Sequence, residues 1–196
     1  MTALPPRPPA APHRPPFRYT REQYHEMARL GHFAGKRVEL IFGEIVEMSP
    51  VGWFHRVACR KLDRALTAAF AGCGWADKNE TLDLGHSEPV PDVAAYAGAF
   101  EDYTDHPATA LLVVEVSDTT LDYDLTTKAE LYATAGVPEY WVLDVNAREL
   151  HVFRDPQTNA ALNVTTYHAH TTHHAIECVS PLGAPHFTIA VADSLP

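Results

Sequence analysis

The run Leu111 to Val116, LLVVEV, constrains this chain more than any other stretch. A strand with one wet face alternates apolar and polar residues, whereas an unbroken β-branched run belongs to a strand covered on both faces. Glu139 to Val145 reads as a second buried strand. Between them, a helix is expected from about Asp122 to Ala135, stopped by Gly136 and Pro138. Asn146-Ala147-Arg148 then turns the chain into a strand at Leu150 to Phe153.

Upstream, Thr20 with Gln23 makes a capping-box signature for a helix from about Thr20 to Leu30. Arg37 to Ile41 and Glu44 to Met48 read as two strands around a Phe42-Gly43 turn. Ser49-Pro50 is a helix-start signal. Ala58, Leu62, Ala65, Leu66, Ala69 and Phe70 recur at helical spacing, giving a helix from about Trp53 to Phe70 that Gly72-Cys73-Gly74 ends. Thr81 to Leu84 is expected as a weak strand and Val90 to Tyr96 as a short one. The segment after Phe153 should add a strand or two with loops. The order α, β-hairpin, α, β, β, α, β, β predicts an α/β (α+β) fold with a mixed central sheet flanked by helices. Residues 1 to 16 are proline-dominated and are expected to form a disordered tail, leaving 17 to 196 as one domain.

The formal net charge of −10 argues against a protein that coats nucleic acid nonspecifically, because that affinity comes from Lys and Arg. It leaves a nuclease open, since a divalent cation can neutralise an acidic site. Cys59, Cys73 and Cys178 are widely spaced and form no CxxC pair, so neither a disulfide framework nor a cysteine zinc site is expected. No apolar run approaches the roughly 20 residues of a membrane helix. The first residues carry no apolar signal core, and a cytoplasmic location without membrane association is expected.

Two acids stand out because they sit within apolar strands. Asp92 lies in Val90-Pro91-Asp92-Val93, and Glu115 in Val113-Val114-Glu115-Val116. A carboxylate there is costly unless it is paired or holds a cation. Each could instead reach water at a strand end or meet an arginine. Two together, followed by a lysine-bearing helix, favour a shared hard cation with oxygen ligands. The lysine is Lys128, four residues after Asp124; spacing alone makes these a surface ion pair worth a few tenths of a kcal/mol. His168, His170, His173 and His174 form a tract that a transition metal could use and that an exposed edge would equally tolerate. Ser117 to Thr120 lack a GxSxG elbow and read as a turn and helix cap. Tyr140 and Trp141 read as core, and nothing matches a Walker A or GxGxxG nucleotide motif.

ELIFGEIVEMSP (Glu39 to Pro50), PDVAAY (Pro91 to Tyr96) and the long string from Val113 to Val145, with His55 between, resemble the Uma-two family. Those are restriction-endonuclease-like proteins of the PD-(D/E)XK nuclease superfamily, and the resemblance runs in order from about Tyr19 to Phe153. It implies a restriction-endonuclease-like sheet and Mg²⁺-dependent hydrolysis of DNA phosphodiesters, with Mn²⁺ as a substitute. Asp92 matches the aspartate of the PD motif and Glu115 the second acid, and these two would bind the metal. The lysine usual two residues later is replaced by Ser117; Lys128 matches a lysine migrated onto the following helix, acting on charge that develops at the phosphate. Its loss should then abolish cleavage without affecting stability. Glu44, His55 and Asp124 are supporting positions. Double-strand cutting by a one-site domain calls for a homodimer. The alternative is a catalytically silent relative serving as a DNA-associated or protein-interaction module, which the negative charge and Ser117 favour.

Overall fold

The computed structural model describes residues 16–161 and 164–196. The proline-rich segment expected as a tail lies, apart from Pro16, outside the described residues.

Helix α1 (Arg21–Arg29) starts with the expected capping box: Gln23 N–H donates to the Thr20 hydroxyl, and the Gln23 side chain accepts from Thr20 N–H. The hairpin β1 (Val38–Ile41) and β2 (Glu44–Glu47) turns at Phe42-Gly43 and forms its own two-stranded sheet. Gly43 is required there: its φ is +76°, and a Cβ would lie 2.8 Å from Arg18 Cβ.

The central sheet has six strands in the order β3-β4-β5-β6-β7-β8. These are β3 (Gly74–Asp77), β4 (Val93–Ala97), β5 (Leu112–Ser117), β6 (Glu139–Asp144), β7 (Glu149–Asn159) and β8 (Val164–His174). β5 and β6 pair in parallel and every other neighbouring pair is antiparallel, so the sheet is mixed. A parallel pair needs a crossover, and the helical segment after β5 supplies it. It comprises α3 (Leu121–Tyr123), a π-helical turn (Asp124–Lys128) and α4 (Ala129–Thr134).

Alternation along the strands divides the core in two. Val93, Ala95, Leu112, Val114, Trp141 and Leu143 pack beneath α2 (Trp53–Ala69) through Ala58, Leu62 and Leu66. Ala94, Tyr96, Val113, Tyr140 and Val142 meet Leu131 and Tyr132 of α4 on the other face. All six residues of β5 and all six of β6 are buried, as expected of largely apolar strands covered on both faces, and Glu115, Ser117, Glu139 and Asp144 are buried with them. β9 (Cys178–Val179), β10 (Ile189–Ala190) and α5 (Val191–Ser194) close the C-terminal side.

Four expectations need correction. Thr81 to Leu84 is not a strand; the strand lies earlier, at β3. Gly74 reads as a helix terminator, yet it opens β3 because a Cβ there would stand 2.2 Å from the Tyr96 carbonyl oxygen of β4. Helix α2 begins three residues after Pro50, with Gly52 as N-cap and no side-chain cap. The crossover helix is interrupted by a π-helical turn rather than running as regular α-helix from 122 to 135.

Candidate active site

β4 and β5 run antiparallel, with Val93 opposite Val114 as the last register pair. One step further along, Asp92 and Glu115 meet. Asp92 N–H donates to Glu115 Oε2 at 3.3 Å, and Val116 N–H donates to Asp92 Oδ2 at 2.8 Å. Each acid is thus tied to the other's strand, and the pairing of two strands determines how the two carboxylates stand.

Helix α2 brings His55 over the same point. Its Nε2 lies 3.0 Å from Asp92 Oδ2 and its Nδ1 3.3 Å from Cys59 Sγ, one turn on. Burial lowers the His55 pKa, but the hydrogen bond to Asp92 and that residue's charge outweigh it, and the net shift is upward. Burial, with Asp92 and Glu115 adding negative charge, pushes the Cys59 thiol well up and holds it protonated. The partners fit a tautomer in which Cys59 S–H donates to Nδ1 and Nε2–H donates to Asp92. Ligand atoms of His55, Cys59 and Asp92 lie within 4.8 Å of one another, the one such group among the described residues. The carboxylate oxygens of the site suit a hard cation, and the His55 nitrogen and Cys59 sulfur stand beside them as softer donors.

Lys128 enters from the opposite face of the sheet. Its side chain is 5% exposed, and the ammonium donates to Glu39 Oε2 at 2.8 Å and Glu115 Oε1 at 3.2 Å. Tyr132, one turn further along, donates its hydroxyl to the same Glu115 Oε1 at 2.8 Å. Burial alone would lower the Lys128 pKa; Glu115 and Glu39 override it and raise it, so the ammonium stays charged. Burial also raises the Glu115 carboxyl; Lys128 opposes that shift and Asp92 adds to it.

Lys128 does not form the expected surface pair with Asp124. Asp124 instead accepts from the Thr120 hydroxyl at 2.6 Å. It too is buried, which raises its pKa against the lowering by Thr120 and Lys128. The surface reading fails because the helix lays its Lys128–Tyr132 side onto β5. Glu44, expected near the site, is exposed, pairs with Arg18 at 2.8 Å and does not line the cleft. Glu39, from the neighbouring strand of the same hairpin, stands there instead. The argument that singles out Glu115, an acid inside an apolar strand, applies equally to Glu39 within Val38-Glu39-Leu40-Ile41 and would have found it.

These groups line one cleft of about 250 Å³. Glu39, His55, Asp92, Glu115, Asp124 and Lys128 all contribute, and Ser49 and Pro50 form part of its wall. Six carboxylates, Glu39, Glu47, Asp92, Glu115, Asp118 and Asp124, line it against Lys128 and Arg37. Among the described residues, no hydrogen bond occupies Asp92 Oδ1, and Glu115 Oε2 accepts only from Asp92 N–H. The arrangement can hold a cation on oxygen ligands beside a fixed ammonium.

The histidine tract falls on β8. His151 of β7 and His170 of β8 face each other with Nδ1 and Nε2 3.2 Å apart, and His170 stacks on Phe153. Neither belongs to the cleft. Among the described residues, no helix is long and apolar enough to cross a membrane.

The family model described as "Putative restriction endonuclease", that of the Uma-two family, matches residues 21–192. A crystal structure of a "putative nuclease" from Anabaena variabilis ATCC 29413, assigned to a domain family of unknown function, superposes with a TM-score of 0.66. The match covers 89% of this chain and 96% of that one at 13% identity, and it shows a shared fold. No curated protein matches the chain.

Proposed function

Because the chain belongs to the Uma-two family, we propose that it is a metal-dependent endonuclease that hydrolyses DNA phosphodiester bonds at the Asp92–Glu115 cleft. One observation carries this reading: six carboxylates line one cleft, with Lys128 and Arg37 the only lysine or arginine in its lining to balance them. Such an excess of negative charge is expensive to bury unless a cation completes it.

The donor set fits Mg²⁺, or Mn²⁺ in its place, with Asp92 and Glu115 as its holders. Such an ion supplies Lewis-acid stabilisation to an attacked phosphate and makes water a better nucleophile near neutral pH. The chain's own groups position those two ligands. His55 and Val116 N–H hold Asp92 Oδ2, and no hydrogen bond among the described residues occupies Oδ1. Tyr132 and Lys128 hold Glu115 Oε1, leaving Oε2 on the side of Asp92. An ammonium has three donors, and two of Lys128's are committed. The third is available to a phosphate oxygen as its charge increases. Lys128 stays protonated and acts through its charge, not as a base.

The direct test is nicking of supercoiled plasmid DNA by the purified protein in Mg²⁺ or Mn²⁺. The wild type should nick, and Asp92→Asn and Glu115→Ala should not. Absence of nicking with either ion, or nicking that survives both substitutions, overturns the proposal. The commitment of Lys128 to two carboxylates also favours a second reading, a silent member of the fold that binds DNA or protein. That reading requires no cleavage with either ion.

A further inference from the structure

The chain carries 15 Lys and Arg against 25 Asp and Glu, so a local concentration of positive charge is unexpected. One occurs beside the candidate active site. A second groove shares Arg37, Val51, His55 and Asp92 with the acidic cleft and continues along α2 to Arg56, Arg60 and Lys78. Lys78 is paired with Asp63 at 3.1 Å. Among the described residues, Arg37 reaches only the Asn79 amide oxygen at 3.5 Å, Arg56 only the Val51 carbonyl oxygen at 3.4 Å, and Arg60 has no ion-pair partner. Three exposed guanidinium groups with no carboxylate partner among the described residues thus stand next to carboxylates that are themselves in excess.

Trp53 extends the same stripe. Trp53, Arg56 and Arg60 stand at i, i+3 and i+7 on α2 and so share a helix face. Trp53 is 74% exposed at the first turn of α2, next to Gly52 in the cleft wall.

We infer that this groove is a track for a nucleic-acid strand, in which Arg37, Arg56 and Arg60 neutralise successive backbone phosphates and Trp53 lies against a base. The inference rests on the endonuclease reading, since the track leads a phosphodiester to Asp92 and Glu115. It explains how an acidic protein could hold a polyanion: charge complementarity is confined to one groove. Arginine suits the task because its planar fork meets phosphate oxygens and stays charged. An aromatic face accepts any base, so the track reads backbone rather than sequence.

The test separates phosphate contacts from stacking. Binding of a fluorescein-labelled DNA oligonucleotide is followed by anisotropy across a range of salt concentrations, without divalent cation, for the wild type and three variants of the full chain. R56A/R60A should weaken binding about tenfold or more and reduce the slope of log affinity against log salt by about 1 to 2, at about 0.7 to 0.9 per phosphate. W53A should weaken binding with the slope unchanged, because an indole neutralises no phosphate. R29A, on α1 outside the groove, should bind as the wild type does. These are exposed positions, and unchanged melting temperatures verify that each variant is folded. DNA binding by the wild type that R56A/R60A leaves intact in affinity and slope overturns the track, while plasmid nicking can still stand. A wild type that binds no DNA at low salt and nicks none overturns both the track and the endonuclease reading.

Discussion

Lys128 and Glu39, 89 positions apart in the chain, form an ion pair of 2.8 Å whose two side chains are 5% and 6% exposed. The contact joins the crossover helix to the β1–β2 hairpin. The same ammonium reaches Glu115 of the central sheet, so one lysine ties together three elements that meet at the cleft.

Lys128→Ala should therefore destabilise the protein as well as affect catalysis. It leaves Glu39 and Glu115 buried without their cation, and removal of one partner from a buried pair costs about 3 to 5 kcal/mol. This differs from the sequence-based expectation that cleavage would be lost with stability largely intact. Urea unfolding checks it: a midpoint equal to wild type would show that the acids relax into water without cost. Lys128→Arg should recover part of the stability and little activity, because the larger, delocalised fork does not reproduce a compact ammonium.

Divalent ions should stabilise the folded chain. A ligand that binds only the native state adds about 2.7 kcal/mol at one hundred times its dissociation constant. The melting temperature should thus rise with Mn²⁺ or Mg²⁺, and Asp92→Asn should abolish the rise. An equal rise in the variant would place the ion elsewhere.

Glu139 is fully buried at the start of β6 and is held by Arg154 at 2.6 and 2.8 Å, by Trp141 Nε1–H at 2.9 Å and by Leu182 N–H at 2.7 Å. It lies outside the cleft and serves the fold. Arg154→Ala should cost about 3 kcal/mol, since it strands a buried carboxylate, and plasmid nicking per folded molecule should be unchanged. Calorimetry and a nicking assay corrected for folded fraction measure the two effects separately.

On the β7–β8 hairpin, burial lowers the His151 pKa; burial, then the His151 imidazole, lowers that of His170. A histidine depressed in the folded state contributes stability above its unfolded pKa of about 6.5 and loses it as pH falls through the folded value. Acidification below about 6.5 should therefore loosen the hairpin. Imidazole resonances followed by NMR should show both rings titrating below 6.5, and His151→Ala should move His170 upward. A His170 that does not respond would mean the two rings are not coupled.

Much of the fold is legible along the chain. LLVVEV and EYWVLDV can only be strands covered on both faces, Thr20 and Gln23 cap α1, and helical spacing from Ala58 to Phe70 marks α2, because each signal is local and repeats with the period of its element. Asp92 and Glu115 are visible for a related reason: an acid in an apolar run is costly wherever the run folds. What lies beyond local pattern was decided in three dimensions. Lys128 follows Asp124 at the spacing of a surface pair, yet packing of that helix side onto β5 turns it to Glu115 and Glu39. Glu39 and Glu44 share one face of the β1–β2 hairpin, since Glu39 pairs with Val46 and Ile41 with Glu44; Glu44 stands at the turn end against Arg18, and only the docking of the hairpin decides which cross-strand pair reaches the cleft. Gly74 carries a terminator's identity and a strand's duty, and the carbonyl of Tyr96 that requires a glycine there is 22 positions away. Short-range periodicity specifies elements and marks costly residues; which costly residues meet depends on register and face, and those are properties of the packed molecule.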